Sequence, residues 1–132
     1  MTPQQREVVE LDGEIFDNGE AVTLVRNTLG PAGTQIAVSV VVNAIVRGYQ
    51  ARELISGSGI VEGDSQVIIS PSQINAAQWP GGYVVGPSTQ GDQRVPRKGD
   101  KMVIAGKTRA VEGCAPIYMA GELVRMTVHV KG

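Results

Sequence analysis

The sequence is short of the residues that most chemistry requires. Its 132 residues include one cysteine, Cys114, and one histidine, His129. A lone cysteine excludes an internal disulfide and any cysteine-based zinc site, and reads as a small buried hydrophobe. A lone histidine excludes a multi-histidine metal site. It also leaves a single candidate base for a Ser-His-Asp or Cys-His device. His129 falls among Arg125, Thr127 and Lys131 on the polar side of the last predicted strand, with no orienting acid in the local sequence. It reads as an exposed structural residue. The aromatics number five (Phe16, Tyr49, Trp79, Tyr83 and Tyr118), too few and too scattered for a base-stacking platform. No apolar run approaches the ~20 residues of a membrane helix. The opening MTPQQREVVE has no apolar core of a signal peptide. A soluble protein made in the cytosol is expected.

Net charge is also nearly absent, at −1, which argues against a dedicated nucleic-acid binder. The charges are nevertheless segregated. The first twenty residues hold six acids (Glu7, Glu10, Asp12, Glu14, Asp17, Glu20) and one base, Arg6. From Arg94 onward there are eight bases and three acids. One reading is scatter over a solvated surface. The other is a heterologous contact, the acidic end of one copy against the basic end of the next.

What is present is glycine, at 17, proline, at 7, and β-branched residues, a composition of short strands and many turns around an aliphatic core. Residues 1–20 read as an acidic arm, flexible in part. A first strand is expected at 21–27, followed by a turn in the LGPAGT tract. The clearest periodicity lies in 35–47. Ile36, Val38, Val40, Val42, Ala44 and Val46 alternate with mixed residues, giving a period of two and one fully buried face. That length predicts a bend or bulge near the middle. Further strands are expected at 64–70, 100–105, 107–112 and 122–131, with Ala105-Gly106 as a hairpin turn and a short strand at 83–85. Long loops are expected at 48–63 and 71–98, with at most a short helical turn near 73–78. Helical periodicity is otherwise weak. The fold class is all-β: one small barrel of short antiparallel strands over 21–132.

No catalytic motif emerges. Gly57-Ser58-Gly59 fits neither GxGxxG nor the GxSxG elbow, and no phosphate-binding GxxxxGK[ST] loop exists. Its expected role is flexibility. Glu62 and Asp64 read as solvated turn residues rather than an acid–base pair. Trp79, in a loop rich in Pro and Gly, is either a plug over one barrel end or an interface anchor that Tyr83 could share. Arg94, Arg97 and Lys98 form a basic cluster, read as solvated loop or as a contact for DNA phosphates or an acidic partner arm.

Tyr49-Gln50-Ala51-Arg52-Glu53, then Gly57, then Gly63-Asp64, then Val67-Ile68-Ile69, and downstream Gly99-Asp100-Lys101-Met102-Val103-Ile104 with Gly106-Lys107 and a closing apolar strand, form an ordered pattern over about residues 20–132. It resembles the head–tail joining proteins of tailed bacteriophages, of the head-completion or stopper type. Ala105-Gly106 stands where that family more often has Asp-Gly. The resemblance implies a β-barrel without enzymatic activity or cofactor. It implies a six- or twelve-fold homo-oligomeric ring in the virion neck, between a portal or adaptor and a tail terminator or tail tube. That ring would close the DNA channel after packaging, dock the tail and touch packaged double-stranded DNA non-specifically. Tyr49, Arg52, Glu53, Ser56, Gly57, Ser58 and Gly59 would then lie in a channel or subunit-interface loop, and Trp79, Tyr83, Arg94, Arg97 and Lys98 in a partner-docking loop. The alternatives are a tail terminator or tail-completion subunit and an OB-like binding module.

Overall fold

The computed structural model describes residues 2–29, 33–48, 64–77, 79 and 94–131, apart from the side chains at 28, 29 and 35. Six antiparallel strands close into a barrel. They are β1 (Glu20–Leu29), β2 (Gln35–Gly48), β3 (Ser65–Ile69), β4 (Lys101–Ile104), β5 (Lys107–Met119) and β6 (Glu122–Val130), with helices α1 (Pro3–Asn18) before β1 and α2 (Ser72–Ala77) after β3. The order around the barrel is β1-β2-β3-β6-β5-β4. The wall is thus two three-stranded meanders, joined along a β3–β6 seam and a β1–β4 seam.

Alternation decides which side chains fill the barrel. On β2, Val40, Val42 and Ala44 point inward, facing Leu24, Val22 and Glu20 of β1 in the ladder, while Val41 and Asn43 point out. Val67 and Ile69 of β3 and Met126, Val128 and Val130 of β6 complete the core with Met102, Ile104 and Val111. No bulge interrupts β2. Its length is accommodated by a change of partner instead: β1 pairs along residues 35–44 and β3 along 44–48, each without a register shift. The shifts fall where β5 pairs with β6: between Val111 and Gly113 the extra residue is Glu112 of β5, and between Ile117 and Tyr118 it is Val124 of β6. The second leaves Leu123 and Val124 both buried, so the strict alternation expected along the last strand breaks at its start.

Both hairpins of the second meander turn on Ala-Gly pairs. Ala105 and Gly106 have φ of 51° and 80°, and Ala120 and Gly121 have 50° and 83°. Two successive positive φ values are those of a type I′ turn, whose twist matches the strands. Alanine at the first position is strained by roughly 1–2 kcal/mol. Ala105→Asn is therefore expected to stabilise the protein by about 0.5–1 kcal/mol, read as a rise in Tm of a few degrees. An unchanged or lower Tm would mean that the turn is not limiting.

The acidic start, expected as an arm flexible in part, forms helix α1. Thr2 caps it: its Oγ1 accepts from the Gln5 backbone N–H at 3.1 Å while Gln5 Oε1 accepts from the Thr2 N–H at 3.0 Å, and Pro3 follows at the first helical position. Leu11 and Ile15 are buried against Ile68 and Ile45, on the outer face of β2 and β3. Each such side chain contributes about 1.5–3 kcal/mol. Only two buried positions over four turns make a weak periodic signal, which is why the pattern alone does not reveal the helix. At its end Gly19 is pressed between Ala44 and Ile15, where a Cβ would meet two carbonyl oxygens at 2.6 Å.

Helix α2 and Trp79 take up part of the β2 edge. β3 begins to pair with β2 only at Ala44, so the earlier part of β2 lacks that neighbour. Gln73 Oε1 accepts from the Asn43 N–H at 2.6 Å, and Trp79 Nε1 donates to the Val38 carbonyl at 3.0 Å. Side chains thus satisfy the Asn43 N–H and the Val38 carbonyl on this edge.

Candidate functional site

Two of the sequence's Gly-Asp steps supply buried aspartates, and each lies at one seam between the meanders. Asp100 belongs to the β1–β4 seam. Arg26 continues the inward positions of β1 and enters the barrel end as a charge only 3% exposed. Its Nε donates to Asp100 Oδ1 at 3.0 Å, and its Nη2 donates to Asp100 Oδ2 at 2.9 Å and to the Val95 carbonyl at 3.0 Å. The guanidinium stands 4.6 Å over the Trp79 ring. Asp100 Oδ2 also accepts from the Arg97 backbone N–H at 3.0 Å. One arginine therefore fastens a strand, the approach to β4 and the Trp79 plug.

Asp64 belongs to the β3–β6 seam. His129 Nε2 lies 2.9 Å from its Oδ2, and Lys131 Nζ lies at 4.0 Å. The Asp64 side chain is 1% exposed. This corrects two expectations: Asp64 is not a solvated turn residue, and His129 does have an acid beside it. The β3–β6 register, with Gln66 opposite His129, brings the residue just before β3 to the end of β6. Sequence separation hid the pair. Nearby, Arg109 donates from Nε to the Lys131 carbonyl at 2.7 Å and from Nη1 to Ser65 Oγ at 2.9 Å. These contacts fasten strand ends. Among the described residues, no group of three His, Cys, Asp or Glu side chains could hold a metal ion.

The docking-loop candidates separate. Trp79 is 2% exposed and lies in the core, and Arg94 is 4% exposed, with Nη1 donating to Asn75 Oδ1 at 3.0 Å. Neither is a surface anchor in this chain. Arg97 and Lys98 are exposed, and Lys98 Nζ lies 4.0 Å from Glu112. Tyr83 lies outside the described residues, as do Tyr49, Arg52, Glu53, Ser56, Gly57, Ser58 and Gly59 and the strand expected at 83–85. Among the described residues no helix is long and apolar enough to cross a membrane.

Cys114, opposite Val128 on β6, packs against the core. Burial pushes its thiol up from 9.0 to about 12, with a backbone hydrogen bond at Thr127 opposing. A rise of that size leaves about three orders of magnitude less thiolate. At pH 8 the native protein is expected to react with a thiol reagent about a thousandfold more slowly than the unfolded chain. Since the folded value is the higher one, the neutral thiol's share of stability is intact below pH 9.0 and is lost as pH rises toward about 12. Equal reaction rates in native and unfolded protein would place the thiol at the surface.

The outer faces of the barrel differ from each other. One is covered by α1. Along one flank of that helix Glu7, Glu10 and Glu14 face Ile117, Val124 and Arg125 across a groove of about 200 Å³. Along another, Val9 and Phe16 are 54% and 84% exposed. On the opposite side of the barrel, the register sets Val41, Thr23, Val103 and Thr108 in one outward row across β2, β1, β4 and β5. Ser39, Val25, Lys101 and Ala110 form the next row. On this face Val41 is 59% exposed. No protein-family model matches this chain, and no curated protein does.

Proposed function

We propose that this protein is a ring-forming structural subunit of a tailed-phage neck, of the head-completion or stopper type, with no catalytic role. The observation that carries the reading is the place of the two Gly-Asp steps in the pattern that resembles that family. Asp64 and Asp100 both sit buried at the seams that close the barrel, and the strands that follow them, β3 and β4, are the seam strands. Asp64 and Asp100 therefore stand where the barrel closes, rather than in interchangeable surface turns. The separation of acids onto α1 and of Lys101 and Lys107 onto the far side of the barrel agrees with stacking of identical subunits. A net charge of −1 suits a collar through which DNA must pass without being held.

The test is reconstitution. DNA-filled heads made without this protein are incubated with the purified chain and then with free tails, and infectivity is counted. Recovery only when the protein meets heads before tails supports the neck role. Recovery only when tails are treated first assigns it to the tail end as a terminator. Tailed, DNA-filled particles that form without it remove both.

A further inference from the structure

We propose that the groove between α1 and the β5–β6 hairpin is a docking site for a basic segment of another protein, which seats one apolar side chain on its floor and lays cations along its helical wall. Three observations converge. The floor is apolar and is built by the register shift in that hairpin. Val124, the extra residue of β6, turns away from the barrel interior that Leu123 and Met126 fill. It belongs to neither apolar cluster of described residues, although it is only 5% exposed. A bulge re-aims a side chain in this way, and bulges gather next to active sites. Here the bulge sets Val124 beside Leu11 of α1 in the lining of the groove. Ile117, opposite Arg125 across the hairpin, completes the apolar part and is left 49% exposed.

The second observation is the wall. Glu7, Glu10 and Glu14 stand at i, i+3 and i+7 along one flank of α1, spread over about 10 Å of helix. All three are exposed. Among the described residues none of them has an ion-pair partner, and Arg125 is the one cation of the lining. Three carboxylates against one guanidinium leave the groove at −2. The third observation is size. A volume of about 200 Å³ falls below the roughly 300–1,000 Å³ of pockets that enclose a small ligand. It is room for one side chain of a partner whose flanking residues stay outside. An extended segment advances about 6.5–7 Å between side chains on one face, so Lys or Arg placed on both sides of an apolar residue reach carboxylates along the whole wall. Nucleic acid and anionic lipid share the sign of that wall and are disfavoured. The site does not depend on the neck role, and neither stands or falls with the other.

The probe is a fluorescein-labelled, amidated peptide, Gly-Lys-Arg-Leu-Lys-Arg-Gly. One control has Ser in place of Leu, and the other has Glu in place of every basic residue. Fluorescence anisotropy on the full chain is expected to give the Leu peptide a Kd below about 1 mM. Binding is expected to weaken several-fold at an ionic strength where the Debye length falls to about 3 Å. Each control is expected to bind at least about tenfold more weakly. Amide resonances are expected to shift at 7–14, 117 and 124–125. Glu10→Lys/Glu14→Lys adds four charges and takes the groove from −2 to +2. This variant is expected to lose the basic peptide at least tenfold and to take up the Glu peptide, a reversal that unfolding cannot produce. Ile117→Ser is expected to narrow the difference between the Leu and Ser peptides. All three positions are exposed, and the thermal midpoint of each variant checks its fold. The site is overturned by a Leu peptide that does not bind up to about 1 mM. It is equally overturned by controls that bind as tightly, by shifts confined to other surfaces, or by a charge-reversed variant that keeps its preference for the basic peptide. Groove resonances that move with protein concentration alone would assign the groove to a second copy of the chain and overturn the proposal too.

Discussion

Arg26→Met is expected to cost about 3–5 kcal/mol of stability, because it leaves the Asp100 carboxylate buried without its counter-charge. Asp100→Asn is expected to fall in the same direction by a smaller amount, since the amide can still accept one of the guanidinium hydrogen bonds. For a domain of this size the larger loss corresponds to roughly 10–20 °C in Tm. The argument is one of asymmetry. Both side chains are 3–4% exposed, and their two parallel contacts at 3.0 and 2.9 Å offset the desolvation of each. Removing one partner keeps the desolvation of the other and forfeits the attraction. The pair itself need not be more favourable than an apolar filling. The double variant Arg26→Met/Asp100→Leu is thus expected to recover much of the loss. Denaturant unfolding followed by the fluorescence of the single Trp79 measures all three. Hydrogen exchange at 95–100 checks the local consequence, because Arg26 and Asp100 also hold the Val95 carbonyl and the Arg97 N–H. Single variants that lose less than about 1 kcal/mol would mean that water reaches the pair in solution.

How far the sequence could be read follows from where each contact lies along the chain. The barrel was legible because alternation is local: the residues that fill it on β2 announce themselves by their spacing, and so do those of β3, β4 and β6. The Ala105-Gly106 turn was legible for the same reason. Helix α1 carries its signal in Thr2, Pro3 and Gln5, a capping box with proline at the first helical position, yet only Leu11 and Ile15 mark its buried face. Flanking acids then read as a solvated arm. The long-range polar pairs were not legible at all. Arg26 and Asp100 are 74 residues apart and Asp64 and His129 are 65 apart, and only closure of the barrel makes either pair adjacent. What the pattern did contain was the Gly-Asp step at both positions, without the reason for it. The reason is physical: each aspartate is the polar fastener of one seam, placed just before a seam strand. The surface is legible only in part. The division of charge between the two ends of the chain is visible in composition, but its separation onto opposite sides of a barrel depends on strand order.

Trp79→Ala is expected to cost about 3–5 kcal/mol, as for other large aromatic deletions in a core, and it tests the plug role against that of an anchor. A plug and an anchor make opposite demands. As a plug, Trp79 fills the barrel end beside Ile74 and Val40, stacks under Arg26 and closes the β2 edge through Nε1–H and the Val38 carbonyl. Its loss leaves a cavity, an unpaired carbonyl and an arginine without its aromatic support. Trp79→Phe separates these terms. It keeps most of the volume and forfeits the hydrogen bond and part of the cation–π contact, so about 1–2 kcal/mol is expected. The effect of Trp79→Ala is also expected to be non-additive with Arg26→Met, by about 0.5–3 kcal/mol, because the two side chains touch. Circular dichroism replaces fluorescence as the probe, since the chain has no other tryptophan. An anchor would behave differently. Truncating it would leave the unfolding midpoint within about 0.5 kcal/mol of wild type and would abolish association instead. With Trp79 at 2% exposure the first pattern is the one expected.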